Sequence, residues 1–499
     1  MMHGQVLQTQ WSQLSEFIAA AMGLHFPRER WDDLKRGLFG AAQEFGFDDT
    51  AACIDWLLSA PPTQAQLQVL ASHLTVGETY FFRDPPMLEA LAGSILPELI
   101  RRRRGREQRL RIWSAACCSG EEPYSLAILL HQLLPDLQDW DVTITASDIN
   151  VNFLRKAVAG LYGEWSFRNA PAWFKLRYFN RCADGRYALV PEIRKLVSFA
   201  CLNLVEDAYP SLASNTNAMD VVFCRNVLMY FTPHQVAKVI GNLSHALVEG
   251  GWLAVSPTEA SQALYPRFSA VNFPGAILFQ KNSASSPAQP VEVAVAPVPP
   301  FPVPVLEAPL PGILPADPDP TAWQPEPVAA EPLPSPLAGA QTLFEQGRYE
   351  EAADTLLAAL TQRSPEPALL HLLARALANQ GKLADALAWC ERWIAADKLD
   401  PAGHYLRAII LQERGDPEQA RASLQRAVYL QADFVLAHFS LGHLARSQGK
   451  TTEADRHFAN ALHLLQRYQP DDLLPESDGL SAGRLTETIT ALNALESVS

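Results

Sequence analysis

The sequence has no run of about 18 uncharged apolar residues, so we expect no segment to span a bilayer. Residues 1–10 lack the basic and apolar blocks of an export signal. The seven cysteines are scattered and form no CxxC pair, which argues against a disulfide framework or a zinc site. We therefore expect a reduced, cytoplasmic protein that is not membrane-spanning.

The chain also lacks a strongly basic segment, since its 40 basic and 54 acidic residues give a formal net charge of −14. Residues 76–283 are the only net-positive stretch, at +2, whereas residues 1–75, 284–336 and 337–499 carry −4, −6 and −6. A protein that follows phosphates needs a basic face. The charge distribution therefore argues against nucleic acid as a partner.

Lysine and arginine are absent from residues 284–336, where 17 of the 53 residues are proline and Gly312 is the one glycine. Alternations such as PVPP and PVP favour extended polyproline II. We expect a semi-rigid Pro-rich linker here, with a docking site for a proline-binding partner as the alternative. At ~100–200 residues per domain, the chain has room for about three domains.

Downstream of the linker, four glycines recur at intervals of 34 residues, and an alanine follows each glycine after five positions. These residues are Gly347, Gly381, Gly415 and Gly449, with Ala352, Ala386, Ala420 and Ala454. Glycine permits a tight turn between two antiparallel helices, and alanine permits their close approach. The register resembles tetratricopeptide repeats and predicts four of them over 337–470, which bind an unidentified protein partner. Residues 471–499 are expected to form a tail with a capping helix from Leu485 to Leu495.

Upstream of the linker, two different patterns predict two domains. Residues 1–75 contain four amphipathic helical patterns and predict an N-terminal helical domain. Residues 76–283 contain strand-like runs at 110–115, 141–148, 196–204, 219–227 and 250–257, followed by a hairpin around Pro274-Gly275. Helical patterns between the runs predict a doubly wound parallel sheet. By fold analogy, the antiparallel edge suits an adenosylmethionine-dependent methyltransferase better than a dinucleotide dehydrogenase.

Acidic residues follow the first two strand-like runs. The turn SAACCSGEEPYS at 114–125 has one glycine and then two glutamates, which would repel a phosphate and suit a cationic ligand such as adenosylmethionine. The alternative is an ordinary turn with acids at a helix N-terminus. Asp148 ends the second run and is placed to accept both hydroxyls of a ribose. The alternative is an N-cap for the helix that begins near Val151.

Five motifs, GETYFFRD, SAACCSGEEPYS, ASDIN, NL and FCRNVLMYF, occur in this order between residues 77 and 231. Together they resemble the chemotaxis-receptor glutamate methyltransferases, the CheR family, over about residues 10–283. The repeats add a resemblance to its WspC-like subgroup. The family's fold implies a multidomain α/β plus all-α protein: an N-terminal helical domain, a Rossmann-like class I methyltransferase domain and a C-terminal α-solenoid. It also implies a small β-insertion, which we expect near 180–198.

The resemblance implies S-adenosyl-L-methionine as cofactor, S-adenosyl-L-homocysteine as product, and no metal. The implied cofactor site consists of Gly77, Thr79, Arg83, Glu121, Asp148, Asn203, Leu204, Arg225 and Asn226. Gly77 departs from the asparagine of better-known members. Arg83 and Tyr230 are the candidate catalytic residues, Arg83 to orient the acceptor carboxylate and Tyr230 to flank the methyl path. The alternatives are a cofactor-carboxylate contact or a structural ion pair for Arg83, and a core aromatic for Tyr230.

These inferences predict a protein-glutamate O-methyltransferase that acts on the cytoplasmic helices of methyl-accepting chemoreceptors. A glutamate with a pKa of about 4.3 is ionised at neutral pH and needs no general base. Two alternatives stay open: a scaffold that binds adenosylmethionine without transferring its methyl group, and a methyltransferase for a free carboxylate metabolite. Arg83, Glu121 and Asp148 argue against the scaffold, and the repeats argue against the metabolite enzyme.

Overall fold

The computed structural model describes residues 8–206, 209–211, 214–282, 336–362, 366–477, 479–483, 485–486 and 488–490. The Pro-rich linker expected at 284–336 lies outside the described residues except for Pro336, and so does the end of the expected capping helix. Within the described ranges, no helix combines the length and apolarity that crossing a bilayer requires.

The N-terminal region forms four helices, as its periodicity predicts. They are α1 (Gln8–Met22), α2 (Trp31–Glu44), α3 (Thr50–Leu58) and α4 (Gln64–Leu74). Leu14, Ile18 and Leu34 are fully buried between the helices, because apolar residues recur on one face of each. Ile149 and Tyr230 of the following domain pack against the same core. The helical region therefore forms one wall beside the strands that follow.

The central region alternates strands and helices along the chain. In order, its elements are α5 (Pro85–Ala90), α6 (Leu96–Arg103), β1 (Arg109–Ala115), α7 (Glu121–Leu133), β2 (Asp141–Asp148), α8 (Val151–Ala159), β3 (Leu161–Tyr162), α9 (Ala172–Tyr178), β4 (Phe179–Arg181), β5 (Tyr187–Leu189), α10 (Pro191–Arg194), β6 (Val197–Cys201), β7 (Met219–Cys224), α11 (Pro233–Ala246), β8 (Leu247–Ala254), β9 (Phe268–Phe273) and β10 (Ala276–Lys281). A π-helical turn (Leu91–Ile95) joins α5 to α6.

Seven of these strands form one sheet, in the order β6-β2-β1-β7-β8-β10-β9. The first five in that order are parallel, and the β9–β10 hairpin adds an antiparallel edge beside β8. The doubly wound sheet and its terminal hairpin are thereby confirmed. The chain order reverses between β1 and β7, and open parallel sheets bind ligands at the carboxyl ends of their strands at such a point.

The small β-insertion overlaps the expected range 180–198 through β4 and β5, but its strand β3 lies earlier in the chain. Strands β3, β5 and β4 form a separate three-stranded antiparallel sheet. Of the range 180–198, by contrast, 191–194 is helical, and β6 from residue 197 onward belongs to the main sheet. The rings of Phe167, Phe174 and Phe179 pack around Phe81 beside the small sheet. Aromatic packing therefore stabilises this insertion, whose strands have only two or three residues.

The C-terminal region forms four helix pairs, as the 34-residue spacing predicts. They are α12 (Pro336–Glu345), α13 (Tyr349–Gln362), α14 (Pro367–Asn379), α15 (Leu383–Ala396), α16 (Pro401–Glu413), α17 (Pro417–Leu430), α18 (Val435–Ser447) and α19 (Thr451–Leu465). The four periodic glycines have φ angles between 70° and 76°, and the four periodic alanines are fully buried. Glycine adopts this left-handed conformation at no steric cost. The periodic glycines therefore serve the turns between paired helices, and the periodic alanines allow the helices to approach closely.

The repeats contact the amino-terminal edge of the main sheet. Asn217, which precedes β7, donates from Nδ2 to Oε1 of Glu413 at the end of α16, at 3.1 Å. Glu413 Oε2 also lies 4.0 Å from Nη1 of Arg109, the first residue of β1. All three side chains are buried. A Cβ added at Gly347 would clash with the ring of His245. The linker therefore joins two regions that pack together.

The substitution Glu413→Ala tests this contact. It removes the acceptor of Asn217 and the ionic partner of Arg109, and an unsatisfied buried donor costs about 1–3 kcal/mol. We expect a lower melting temperature by calorimetry and faster hydrogen exchange at the start of β1. The exposed Glu345→Ala on α12 is the matched control. Equal stability of the two variants would contradict the contact.

Candidate active site

A cavity opens at the carboxyl ends of β1, β2 and β7, where the chain order reverses. Ala116 follows β1, Asp148 ends β2 and Arg225 follows β7, and all three line the cavity. The sequence-predicted site residues that line it are Thr79, Arg83, Asp148, Asn203, Leu204, Arg225, Asn226 and Tyr230. Gly77 and Glu121 are not among the lining residues.

Asp148 presents a buried carboxylate to the cavity. It accepts hydrogen bonds from the backbone N–H groups of Cys118 and Asn150, each at 2.8 Å. The cap of α8 is Asn150, whose side chain accepts from the N–H groups of Asn152 and Phe153. Burial raises the pKa of Asp148 to about 6, and the backbone hydrogen bonds act in the opposite direction. The carboxylate is therefore ionised at neutral pH, and each oxygen keeps a lone pair for a ligand hydroxyl.

Glu121 and Glu122 have different surroundings although they are adjacent. Glu121 is buried and accepts from the hydroxyls of Ser119 and Ser166, at 2.8 and 3.0 Å, and its burial raises its pKa. Glu122 lines the cavity and accepts from Ser114 Oγ at 2.7 Å. Successive helical residues point about 100° apart, so the two carboxylates face different directions. Of the two, Glu122 directs its carboxylate to the cavity. The resemblance had implied Glu121 as the cofactor-site residue.

Arg225 joins three parts of the cavity wall. Its guanidinium donates to Glu122 Oε2 at 3.0 Å, to Asp84 Oδ2 at 3.1 Å and to the backbone oxygen of Arg83 at 3.3 Å. The arginine side chain is only 4% exposed. Two carboxylates compensate its buried charge, which would otherwise be costly. Asp84 thus belongs to the site, although only its place in the GETYFFRD motif marked it in the sequence.

Glu259 holds the loop that follows Arg225. Its carboxylate accepts from the backbone N–H groups of Asn226, Val227 and Met229, at 2.8, 2.9 and 3.2 Å, and from that of Ser256 at 3.1 Å. Hydrogen bonds to an ionised acceptor are about twice as strong as neutral ones. The sequence analysis missed Glu259, because partners that are backbone groups leave no motif.

Asn203 connects the cavity to the N-terminal helices. Its Nδ2 donates to the backbone oxygen of Ala21 on α1 at 2.7 Å, and its Oδ1 accepts from the N–H of Val205 at 3.2 Å. Leu204 is buried beside it. Asn203 thus holds α1 against the cavity.

Gly77 leaves space for an aromatic ring. A Cβ at this position would lie 2.7 Å from Cζ of Phe153, whose side chain lines the cavity. The glycine therefore acts by allowing Phe153 to approach, which gives a physical reason for the missing side chain.

Arg83 and Tyr230 both line the cavity. Arg83 donates from Nη1 to the backbone oxygen of Glu78 at 2.6 Å, and its guanidinium lies 5.6 Å from the ring centre of Tyr80. No acidic side chain among the described residues forms an ion pair with Arg83. The ring of Tyr230 lies 5.3 Å from the guanidinium of Arg30. Arg83 is therefore placed to meet a carboxylate that a ligand or substrate supplies.

The cavity fits adenosylmethionine. Asp148 provides paired acceptors for a ribose, and Glu122 provides a negative charge for a cationic group. Ile149, Phe153 and Leu204 provide apolar surface for a purine. In the part of the chain that the structure describes, no group of three His, Cys, Asp or Glu side chains is arranged to hold a metal ion. Fold and site together define an adenosylmethionine-dependent methyltransferase.

Comparison with known proteins identifies the family. The family model "CheR methyltransferase, SAM binding domain" matches residues 77–276, and a tetratricopeptide repeat model matches 337–401 and 405–468. The chain is 38% identical over 208 residues to chemotaxis protein methyltransferase 2 of Vibrio cholerae, covering 42% of this chain and 70% of the relative. It is 37% identical over 218 residues to chemotaxis protein methyltransferase 1 of Pseudomonas aeruginosa, covering 43% and 77%. The chain belongs to the CheR methyltransferase family.

A further relative extends through the repeats. The probable biofilm formation methyltransferase WspC of Pseudomonas aeruginosa is 29% identical over 401 residues, covering 78% of this chain and 84% of the relative. The expected combination of a CheR domain with C-terminal tetratricopeptide repeats is therefore confirmed.

The pKa of Asp148 predicts how cofactor affinity depends on pH. Ribose hydroxyls donate best to the ionised carboxylate, so affinity for adenosylhomocysteine should fall as the pH drops below about 6. One pH unit below the pKa, the loss approaches tenfold. Asp148→Asn should weaken binding about ten- to hundredfold at neutral pH and flatten the profile. Calorimetric titration between about pH 5 and pH 7.5 measures both effects.

The exposed Asp139→Asn is the control and should titrate like the unaltered chain. If Asp148→Asn kept both the affinity and the pH profile, Asp148 would not contact the cofactor.

The contacts of Glu259 predict a positioning role. Glu259→Gln leaves one acceptor oxygen for four N–H donors, so the loop after Arg225 should loosen. We expect at least about tenfold weaker binding of adenosylhomocysteine, since each hydrogen bond to a charged group contributes ~1.5–3 kcal/mol. Faster hydrogen exchange at 226–229 should accompany the loss. The exposed Glu107→Gln should change neither quantity, and unchanged exchange in Glu259→Gln would argue against this role.

Proposed function

We propose that the chain is a protein-glutamate O-methyltransferase that acts on the cytoplasmic helices of methyl-accepting chemoreceptors. The observation that carries this proposal is that the guanidinium of Arg83 lines the cavity and forms no ion pair with an acidic side chain of the described residues. A substrate carboxylate is the group that its charge complements. The relatives, which are named chemotaxis protein methyltransferases, support the same class of substrate.

When bound, adenosylmethionine supplies a methyl group on a positively charged sulfur. The chain's own residues then have three tasks: Asp148 holds the ribose, Glu122 faces the positive charge, and Arg83 orients the incoming carboxylate. The glutamate acceptor is ionised at neutral pH, so no residue has to remove a proton. Alignment of reacting groups can contribute about 7–11 kcal/mol.

The assignment of individual site residues is part of the proposal. Thr79, Asn203, Leu204, Arg225 and Asn226 bind the cofactor or hold its loops, and Tyr230 flanks the methyl path. Glu122 takes the role that the resemblance implied for Glu121, and Gly77 acts through Phe153. We also propose the domain limits 1–75, 76–283, 337–470 and 471–499, with the linker at 284–336. The repeats bind a protein partner of the chemosensory system.

Methyl transfer to receptor-containing membranes tests the function, with labelled adenosylmethionine and release of base-labile methanol as the measurement. Arg83→Ala should lower turnover about ten- to hundredfold, since a hydrogen bond to a charged group contributes ~1.5–3 kcal/mol. Its melting temperature should stay close to that of the unaltered chain, because Arg83 has no ion-pair partner among the described residues.

Arg155→Ala is the matched control, since this exposed arginine contacts only Asn152 of its own helix in the described structure. A parallel loss of stability and turnover in Arg83→Ala would make Arg83 structural. Absence of base-labile methyl groups with the unaltered chain would contradict the proposed reaction.

A further inference from the structure

The segment that follows the last repeat helix turns back across the earlier repeats. Leu474 is buried in the core that α16 to α19 share. Two residues later, Glu476 Oε2 lies 3.2 Å from Nε2 of His371 on α14, in the second repeat. The tail therefore reaches from the fourth repeat to the second, across the first helices of successive repeats.

The surroundings of Glu476 form a carboxylate site. The ring of His371 stacks on Trp393, with 4.4 Å between ring centres, so its position is fixed. The guanidinium of Arg375, one turn along α14, lies over the ring of Phe344 at 4.9 Å, and its charge lowers the pKa of Glu476. Burial opposes ionisation of Glu476, but the contact with His371 and the charges of His371 and Arg375 outweigh it and lower its pKa. The site thus favours an ionised carboxylate.

The backbone at Glu476 is strained. Its φ angle is 59°, in the left-handed region that residues with a Cβ seldom adopt. Such strain costs of order 1–3 kcal/mol, persists only where the surroundings impose it, and occurs often at ligand sites and switches. The neighbouring turn is closed by Ser477, whose Oγ accepts from the N–H of Leu480 at 2.9 Å. The carboxylate is therefore held in place against a local backbone preference.

Residues outside 474–476 also cover the last repeats. Leu485 and Ile489, farther along the tail, are fully buried against the third and fourth repeats and would still cover them. A cavity of ≈ 240 Å³ lies beside residues 474–476, between them and the starts of α16 and α18. The repeats thus have room for more chain than they now hold.

We propose that residues 474–476 are a built-in ligand, seated where the repeats bind an acidic peptide of a partner protein. In that peptide, a carboxylate follows an apolar residue and a proline, as in the Leu-Pro-Glu sequence of this chain. The partner's carboxylate takes the place of Glu476 beside His371 and Arg375, and its apolar residue takes the place of Leu474. This inference does not depend on methyl transfer.

A labelled synthetic peptide with the sequence of residues 470–480 tests the proposal on the full chain. Glu476→Gln weakens the hold of the chain's own segment, so this variant should bind the peptide at least about tenfold more tightly than the unaltered chain does. Asp471→Asn, which changes an exposed acid of the same tail, should bind like the unaltered chain. A peptide in which glutamine replaces the glutamate of Leu-Pro-Glu should lose its binding to the chain. The double variant Arg375→Ala, Glu476→Gln should lose its binding to the original peptide.

Hydrogen exchange separates release of the segment from unfolding. In Glu476→Gln, exchange should rise at 473–477 and stay unchanged in α18 and α19. If Glu476→Gln folds poorly, Glu476→Asp serves as the second variant. It is also expected to bind the peptide more tightly than the unaltered chain does. The proposal would be overturned if neither variant gained binding, or if α18 and α19 opened together with the segment. It would also be overturned if the chain formed a dimer in which a second copy's tail fills the site.

Discussion

The buried guanidinium of Arg225 holds the walls of the cavity together. An unpaired charge at this depth would cost several kcal/mol, so Glu122 and Asp84 must both be in place whenever the domain is folded. These two acids come from the start of α7 and from the residue before α5, and Arg225 follows β7. One charge network therefore fixes three chain segments that are distant in sequence. The cavity is formed by the contacts that fold the domain, which preorganises it for its ligand.

Elements with a strong repeating pattern could be predicted from the sequence. The repeats follow from the spacing that begins at Gly347, and the main sheet follows from short strand-like runs such as β1 and β7 that alternate with helical patterns. Of the small sheet, β4 and β5 overlap the predicted range but β3 was missed, because strands of two or three residues show no alternation and aromatic packing around Phe81 stabilises them. The contact between the repeats and the sheet was missed, since buried polar pairs such as Asn217 and Glu413 have no signature in a single sequence.

Residues whose side chains line the cavity could be predicted from the sequence. Residues that act through backbone groups could not. Asp148 was predicted because a strand end is where open sheets bind ligands, and its side chain lines the cavity. The orientation of the Glu121-Glu122 pair depends on where α7 begins, which sequence locates only to within a residue or two. Glu259 was invisible because it holds main-chain N–H groups, and Gly77 could be understood only with Phe153 beside it. The roles of these residues therefore depend on their neighbours in the folded chain, and residue type alone does not reveal them.

The repeats and the catalytic region are parts of one chain, which changes the energetics of their contact. Covalent connection converts docking into an intramolecular event, with an effective concentration set by the length and stiffness of the linker. The contact at Glu413 is made under this condition. Within one chain, the docked fraction is independent of protein concentration. A protein that binds the repeats therefore changes the docked fraction only as far as its affinity differs between the docked and undocked forms.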